Sequence, residues 1–142
     1  MTAPVKTSLL LATLVACASA YAQTTMTEDE ADARTDRTEA TAKAEKEACQ
    51  KMEGNAEDVC EAEAKAKEKI AKAEVEYQRS GKDGDRRDLQ KMKAEGAYEV
   101  AKEKCEGFEG ARQSDCRKQA EENYDAAREA VENESTKRWG VV

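Results

Sequence analysis

Apolar residues recur along this chain at intervals of three and four. The clearest run is Val59, Ala62, Ala66, Ile70, Ala73 and Tyr77, the spacing of one face of an α-helix. It predicts a helix over about 56–79. Glu61/Lys65, Glu63/Lys67 and Glu68/Lys72 reinforce it, each an acid four residues before a base. Upstream, Ala44, Ala48, Cys49 and Met52 form a seam that ends at Gly54. A glycine there can take the left-handed conformation that closes a helix, and Asn55 with Asp58 is placed to cap the next one. Ser80 to Asp85 is a turn by composition. A third helix is expected over about 86–107, with Leu89, Met92, Ala97, Val100 and Ala101 inward. A fourth is expected from near Ser114 to Lys137, with Cys116, Ala120, Tyr124, Ala127 and Val131 inward.

Three stretches lack such a stripe. Residues 23–41 are polar and acidic, with Met26 their one large apolar side chain. Thr27 followed by Glu28, Asp29 and Glu30 is a good helix start. Without an apolar face, though, an isolated helix is marginal in water, so this stretch is expected to be a frayed or disordered arm. Trp139 to Val142 is an apolar tail, expected to fold back onto the helices. Residues 1–22 read as an export signal. Lys6 precedes an apolar run from Ser8 to Ala16, and Ala20-Tyr21-Ala22 fits the small-x-small cleavage rule. The run is too short to span a bilayer, which takes ~20 residues. The alternative is a lipoprotein: Leu14-Val15-Ala16-Cys17 resembles a lipobox, in which Cys17 is acylated.

Composition narrows the fold further. Of the 142 residues, 39% are charged and 4% aromatic. A methyl group removes little surface from water, so an alanine-rich chain is expected to have a thin core and long helices with wet faces. The sequence has no histidine, which removes the commonest general base and transition-metal ligand. Net charge is −7, or −8 once Lys6 leaves with the leader. Neutralising phosphates is then no route to nucleic-acid binding.

The cysteines organise the rest. Cys49 and Cys60 enclose ten residues with Glu53-Gly54 before the midpoint; Cys105 and Cys116 do the same around Glu109-Gly110. At an offset of 56, Lys46, Glu47, Cys49, Glu53, Gly54, Cys60, Ala64, Ala71 and Val75 are repeated as Lys102, Glu103, Cys105, Glu109, Gly110, Cys116, Ala120, Ala127 and Val131. This reads as duplication of a helix-turn-helix unit, spanning 42–79 and 86–138. In an exported protein four such cysteines imply disulfides. Symmetry about each turn favours Cys49–Cys60 and Cys105–Cys116. Cross-hairpin pairing stays open if a bundle brings all four to one end. The ten-residue gaps are not zinc knuckles, and no Cys-x-x-Cys redox motif is present. Asp83, Asp85 and Asp88 lack the full calcium-loop pattern and read as turn and helix cap.

Two stapled antiparallel helices resemble the twin C-x9-C hairpins of the mitochondrial intermembrane space, although the gap here is one residue longer. The chain is more similar to small exported Ala/Lys/Glu-rich proteobacterial proteins with paired Cys-x2-Leu-x-Gly-Asn-Ala-Lys-Asp-x-Cys segments. Cys49, Gly54, Asn55, Ala56, Asp58 and Cys60 match that pattern, while Met52 and Glu57 depart from it. The second copy keeps Cys105, Gly110 and Cys116. This resemblance, loosely to TolA-like envelope proteins, implies a periplasmic location and assigns no activity to any residue.

The expectation is an all-α protein of two disulfide-stapled hairpins, as a four-helix up-down arrangement or an extended rod. No catalytic, metal or cofactor site is expected, and the partner is another envelope protein. The second reading is a periplasmic holdase with Met52, Leu89, Met92, Phe108 and Tyr124 lining an apolar groove.

Overall fold

The computed structural model describes residues 26–138. The expected leader with Cys17 and the expected apolar tail from Trp139 lie outside the described residues. Four α-helices follow one another: α1 Glu28–Cys49, α2 Asn55–Ser80, α3 Asp83–Glu106 and α4 Gly110–Arg138. Among the described residues there is no strand. Each helix packs only against its neighbours in sequence, α1 on α2, α2 on α3 and α3 on α4. The chain is therefore an up-down arrangement, but one spread into a single layer rather than closed into a bundle.

The expected arm over 23–41 is not a separate element, because from Glu28 it is the first part of α1. Thr27 caps this helix, accepting from the Glu30 N–H while the Glu30 carboxylate accepts from Thr27 N–H at 3.0 Å. What the sequence pattern hides is a stripe without large residues. Ala31, Thr35, Thr38, Ala42, Glu45 and Cys49 alternate by four and three; Ala31, Ala42 and Cys49 are buried and the rest half-buried. Ion pairs flank the stripe: Glu39–Lys72 at 2.7 Å, Glu45–Lys67 at 3.3 Å and Lys46–Glu68 at 2.7 Å. The expected seam through Ala44, Ala48 and Met52 faces outward instead, and all three are exposed.

Helix α2 is central and carries two stripes. Ala64 and Ala71 line the α1 side, and Val75 continues their stripe; Ala62, Ala66 and Ile70 face α3, and Val59, Ala73 and Tyr77 continue that stripe at helical spacing. The two axes approach closely at Gly96. A Cβ there would stand 3.0 Å from the Ala66 Cβ and 3.3 Å from the Ile70 Cδ1. Gly81 closes α2 in the left-handed conformation (φ 63°), its N–H donating to the Tyr77 carbonyl at 2.8 Å. Helix α3 then starts at Asp83, earlier than the charge-rich turn suggests, and α4 starts at Gly110 rather than near Ser114.

Burial is thin, as the composition predicts. Ten apolar residues are buried among those described, and six of them are alanine. Only two side chains are sealed to below 2% exposure: Cys49 and Cys105.

Candidate functional site

The bridges form between the pairs that symmetry favours. Cys49–Cys60 has a Cα–Cα distance of 5.4 Å and Cys105–Cys116 one of 5.6 Å, inside the range a disulfide needs. In each unit the first cysteine is buried and the second half-buried. The cross-hairpin pairing does not occur.

Both stapled turns lie at the same end of the layer and are joined there. Asn55 is the first residue of α2, not its cap. Gly54, with φ 59° and no side-chain hydrogen bond, holds the cap position. The Asn55 Nδ2 donates instead to the Glu103 carbonyl near the end of α3, at 2.6 Å. Gly107 makes room for it, since a Cβ at that position would stand 2.8 Å from the Asn55 Oδ1. Lys104 and Glu63 add an exposed pair at 2.9 Å.

The two units solve the same packing problem with different chemistry at equivalent positions. In the first, Glu68 sits between Lys46 at 2.7 Å and Lys72 at 3.0 Å. Lys46, and then Lys72, hold its carboxyl below the usual carboxylate range. At the same offset the second unit has Tyr124 in place of Glu68 and Tyr98 in place of Ala42. Those rings stack at 4.8 Å with 17° between planes. The cations keep their places: Lys102 lies 5.3 Å from the centre of the Tyr98 ring and Arg128 5.6 Å from that of Tyr124. A carboxylate in one unit and two π faces in the other attract the same pair of positive charges.

Between α2 and α3 runs an open groove of about 460 Å³ floored by Ala62, Ala66 and Gly96. Its walls carry carboxylates interleaved with lysines, paired as Glu61–Lys65 at 3.0 Å and Glu95–Lys69 at 3.6 Å. Among the described residues no group of three or more Cys, Asp or Glu is placed to hold a metal ion. Asp83, Asp85 and Asp88 do not converge: Asp83 pairs with Arg86 at 3.4 Å, Asp85 accepts from the Ser80 hydroxyl, and Asp88 faces Lys91 at 3.8 Å.

Of the five residues expected to line an apolar groove, Met92 and Tyr124 share one and the other three lie elsewhere. Leu89 is buried, and Tyr124 is stacked on Tyr98. Phe108 lies under the Arg112 guanidinium at 4.3 Å. Met52, 46% exposed, stands alone as an exposed large hydrophobic among the described residues, while Met92 and Tyr124 share a groove wall with Arg87, Lys91 and Arg128.

Periodicity alone does not reveal the Asn55–Glu103 link or the tyrosine stack. The repeat offset carried a signal for the stack, since it aligns both tyrosines with positions of the first hairpin seam. No protein family, curated protein or solved structure matches this chain.

Proposed function

We propose that this protein is a non-enzymatic module of the cell envelope that offers a rigid, charged helical surface to another envelope protein. The observation that carries the reading is the open layer. Four helices lie side by side with both broad faces reachable by solvent, and their charges are held in place by lateral ion pairs. Such a surface suits recognition by electrostatic complementarity, which confers specificity and speed of encounter more than raw affinity.

Two disulfides fit an oxidising compartment. Among the described residues no helix is long and apolar enough to cross a membrane. The export signal and its small-x-small site favour release after Ala22 into the periplasm, with acylation at Cys17 as the alternative route to the same compartment. The resemblance to small exported proteobacterial proteins points the same way.

The test is photocrosslinking in intact cells from positions along the α2–α3 groove, followed by fractionation. One discrete adduct with an envelope protein is expected, lost on reversing the neighbouring charges Lys65 and Lys69. Saturable turnover of a substrate, abolished by one substitution, would overturn the reading. The intact mass of the same material separates an N-terminus at Gln23 from an acylated Cys17.

A further inference from the structure

The two edges of the layer are chemically unlike. At the offset of 56, the outer face of α4 presents Asp115, Lys118, Glu122 and Glu129 where α2 presents Val59, Ala62, Ala66 and Ala73 to its neighbour. This edge is capped by charge, as the terminal units of repeat proteins are. The outer face of α1 differs. Ala33, Ala40 and Ala44 occupy the positions that Leu89, Gly96 and Val100 fill on α3, the face against which α2 packs. The same surface that carries a helix in the second unit thus carries none of the described helices in the first.

We propose that this face of α1 carries a second copy of the chain, α1 against α1 and antiparallel, forming a two-fold dimer. The outer face reads Ala33, Arg37, Ala40, Ala44 and Glu47, spaced by four and three, and the same spacing runs on to Lys51 in the turn. In an antiparallel pair such a stripe meets its own reverse. Ala40 of one copy lies against Ala44 of the other, and Arg37 against Glu47. Both contacts occur twice about the axis, as an isologous interface requires. The small central residues let the helices approach closely, short of the approach at Gly96, where a Cβ would already stand 3.0 Å from that of Ala66.

The charges single out this face. On the α2 side of α1, Glu39, Glu45 and Lys46 are all paired across the seam. On the outer side Arg37, Glu47 and Lys51 are exposed and, among the described residues, make no side-chain hydrogen bond or ion pair. Joining α4 of one copy to α1 of the next, in the register of the α2–α3 seam, sets Asp115 against Glu47 and leaves Glu122 and Glu129 facing alanines. A closed pair is favoured over a growing filament. Beside the two-fold axis Lys43 faces its own copy, the one like-charge contact in this register. Dimerisation through α1 does not depend on the compartment or on the envelope partner.

Sedimentation equilibrium of the full chain with both bridges formed is the test. The mass should rise with concentration toward twice that of the monomer and stop there. Arg37→Glu or Glu47→Arg alone should weaken association by about tenfold or more, and the double swap should restore it to within about threefold. Lys43→Gln should tighten it, and Glu122→Lys on the α4 edge should leave it unchanged. Circular dichroism melts of each variant verify that the helices persist. A monomer at every concentration, growth beyond two copies, or a swap that fails to restore association would each overturn the proposal.

Discussion

Removing the first bridge should detach one helix before it unfolds the protein. Cys49 and Cys60 are 11 residues apart in sequence, and closing a loop of that length lowers the entropy of the unfolded chain by an amount worth about 3 kcal/mol. Little else holds α1. Among the described helices it touches α2 alone, buries Ala31, Ala42 and Cys49, and shares with α2 ion pairs that are partly exposed. Exposed pairs contribute ~0–1 kcal/mol each, and an alanine methyl about 0.8 kcal/mol. The bridge is thus the largest single contribution to this seam.

In Cys49→Ala/Cys60→Ala, backbone amides of α1 should exchange with deuterium about a hundredfold faster, since 1.4 kcal/mol is a factor of ten. Amides of α3 and α4 should change little, because α1 does not touch them. The melting midpoint followed at the helical circular-dichroism band should fall by about 10 °C, at roughly 4 °C per kcal/mol for a chain of this size. Reductant should reproduce both effects in the native protein. Unchanged exchange in α1, or faster exchange spread evenly over all four helices, would refute the reasoning that the bridge stands in for packing at this edge.

Four further outcomes follow from the seams. Glu68 is held below the usual carboxylate range by Lys46 and Lys72, so its contribution is present above the unfolded-state pKa and disappears as pH falls through the folded-state value. Hydrogen exchange at acid pH should therefore loosen α1–α2 before α3–α4, where the equivalent residue is Tyr124. Gly96→Leu should destabilise by about 2–3 kcal/mol despite leucine's better helix propensity, because the added side chain is forced against Ala66 and Ile70; a denaturant midpoint at or above the native one would contradict the close approach. A double-mutant cycle of Tyr98→Ala and Tyr124→Ala should show a coupling of about 0.5–1.5 kcal/mol, and strictly additive losses would remove the stack from the account. Tyr98→Ala/Tyr124→Glu copies the first unit's solution, so it should fold and make α3–α4 acid-sensitive in turn.

The features legible in the sequence were those with an unambiguous local signal. Helix α2 showed because Val59, Ile70 and Tyr77 are large enough to mark a face, and the bridges showed because each pair is symmetric about its turn. The buried stripe of α1 did not. Ala31, Thr35, Thr38 and Ala42 compete with an equally periodic set, Ala33, Ala40, Ala44 and Ala48, and only the position of α2 decides between them. Asn55 misled for a related reason. Its amide suits a local cap, but the Glu103 carbonyl offers a tertiary acceptor and Gly54 supplies the positive φ that the turn needs.

The three seams divide between two ways of offsetting chain entropy. The α1–α2 and α3–α4 seams each hold a disulfide, and their apolar residues are mainly alanine and cysteine, with Val75 and the half-buried Tyr98–Tyr124 stack the larger exceptions. The α2–α3 seam has no bridge. It carries Val59, Ile70, Tyr77, Leu89 and Val100 on the facing stripes, with Gly96 drawing the axes together. Burial of large side chains scales with the area removed from water, whereas a cross-link acts on the unfolded chain and needs no large side chain at all. The large aliphatic side chains are thus concentrated where no covalent link exists. Because the outer faces of α1 and α4 carry so few of them, nothing draws those two helices together across the layer. An open sheet of helices, stapled at one end and wet on both faces, is what such a sequence can hold.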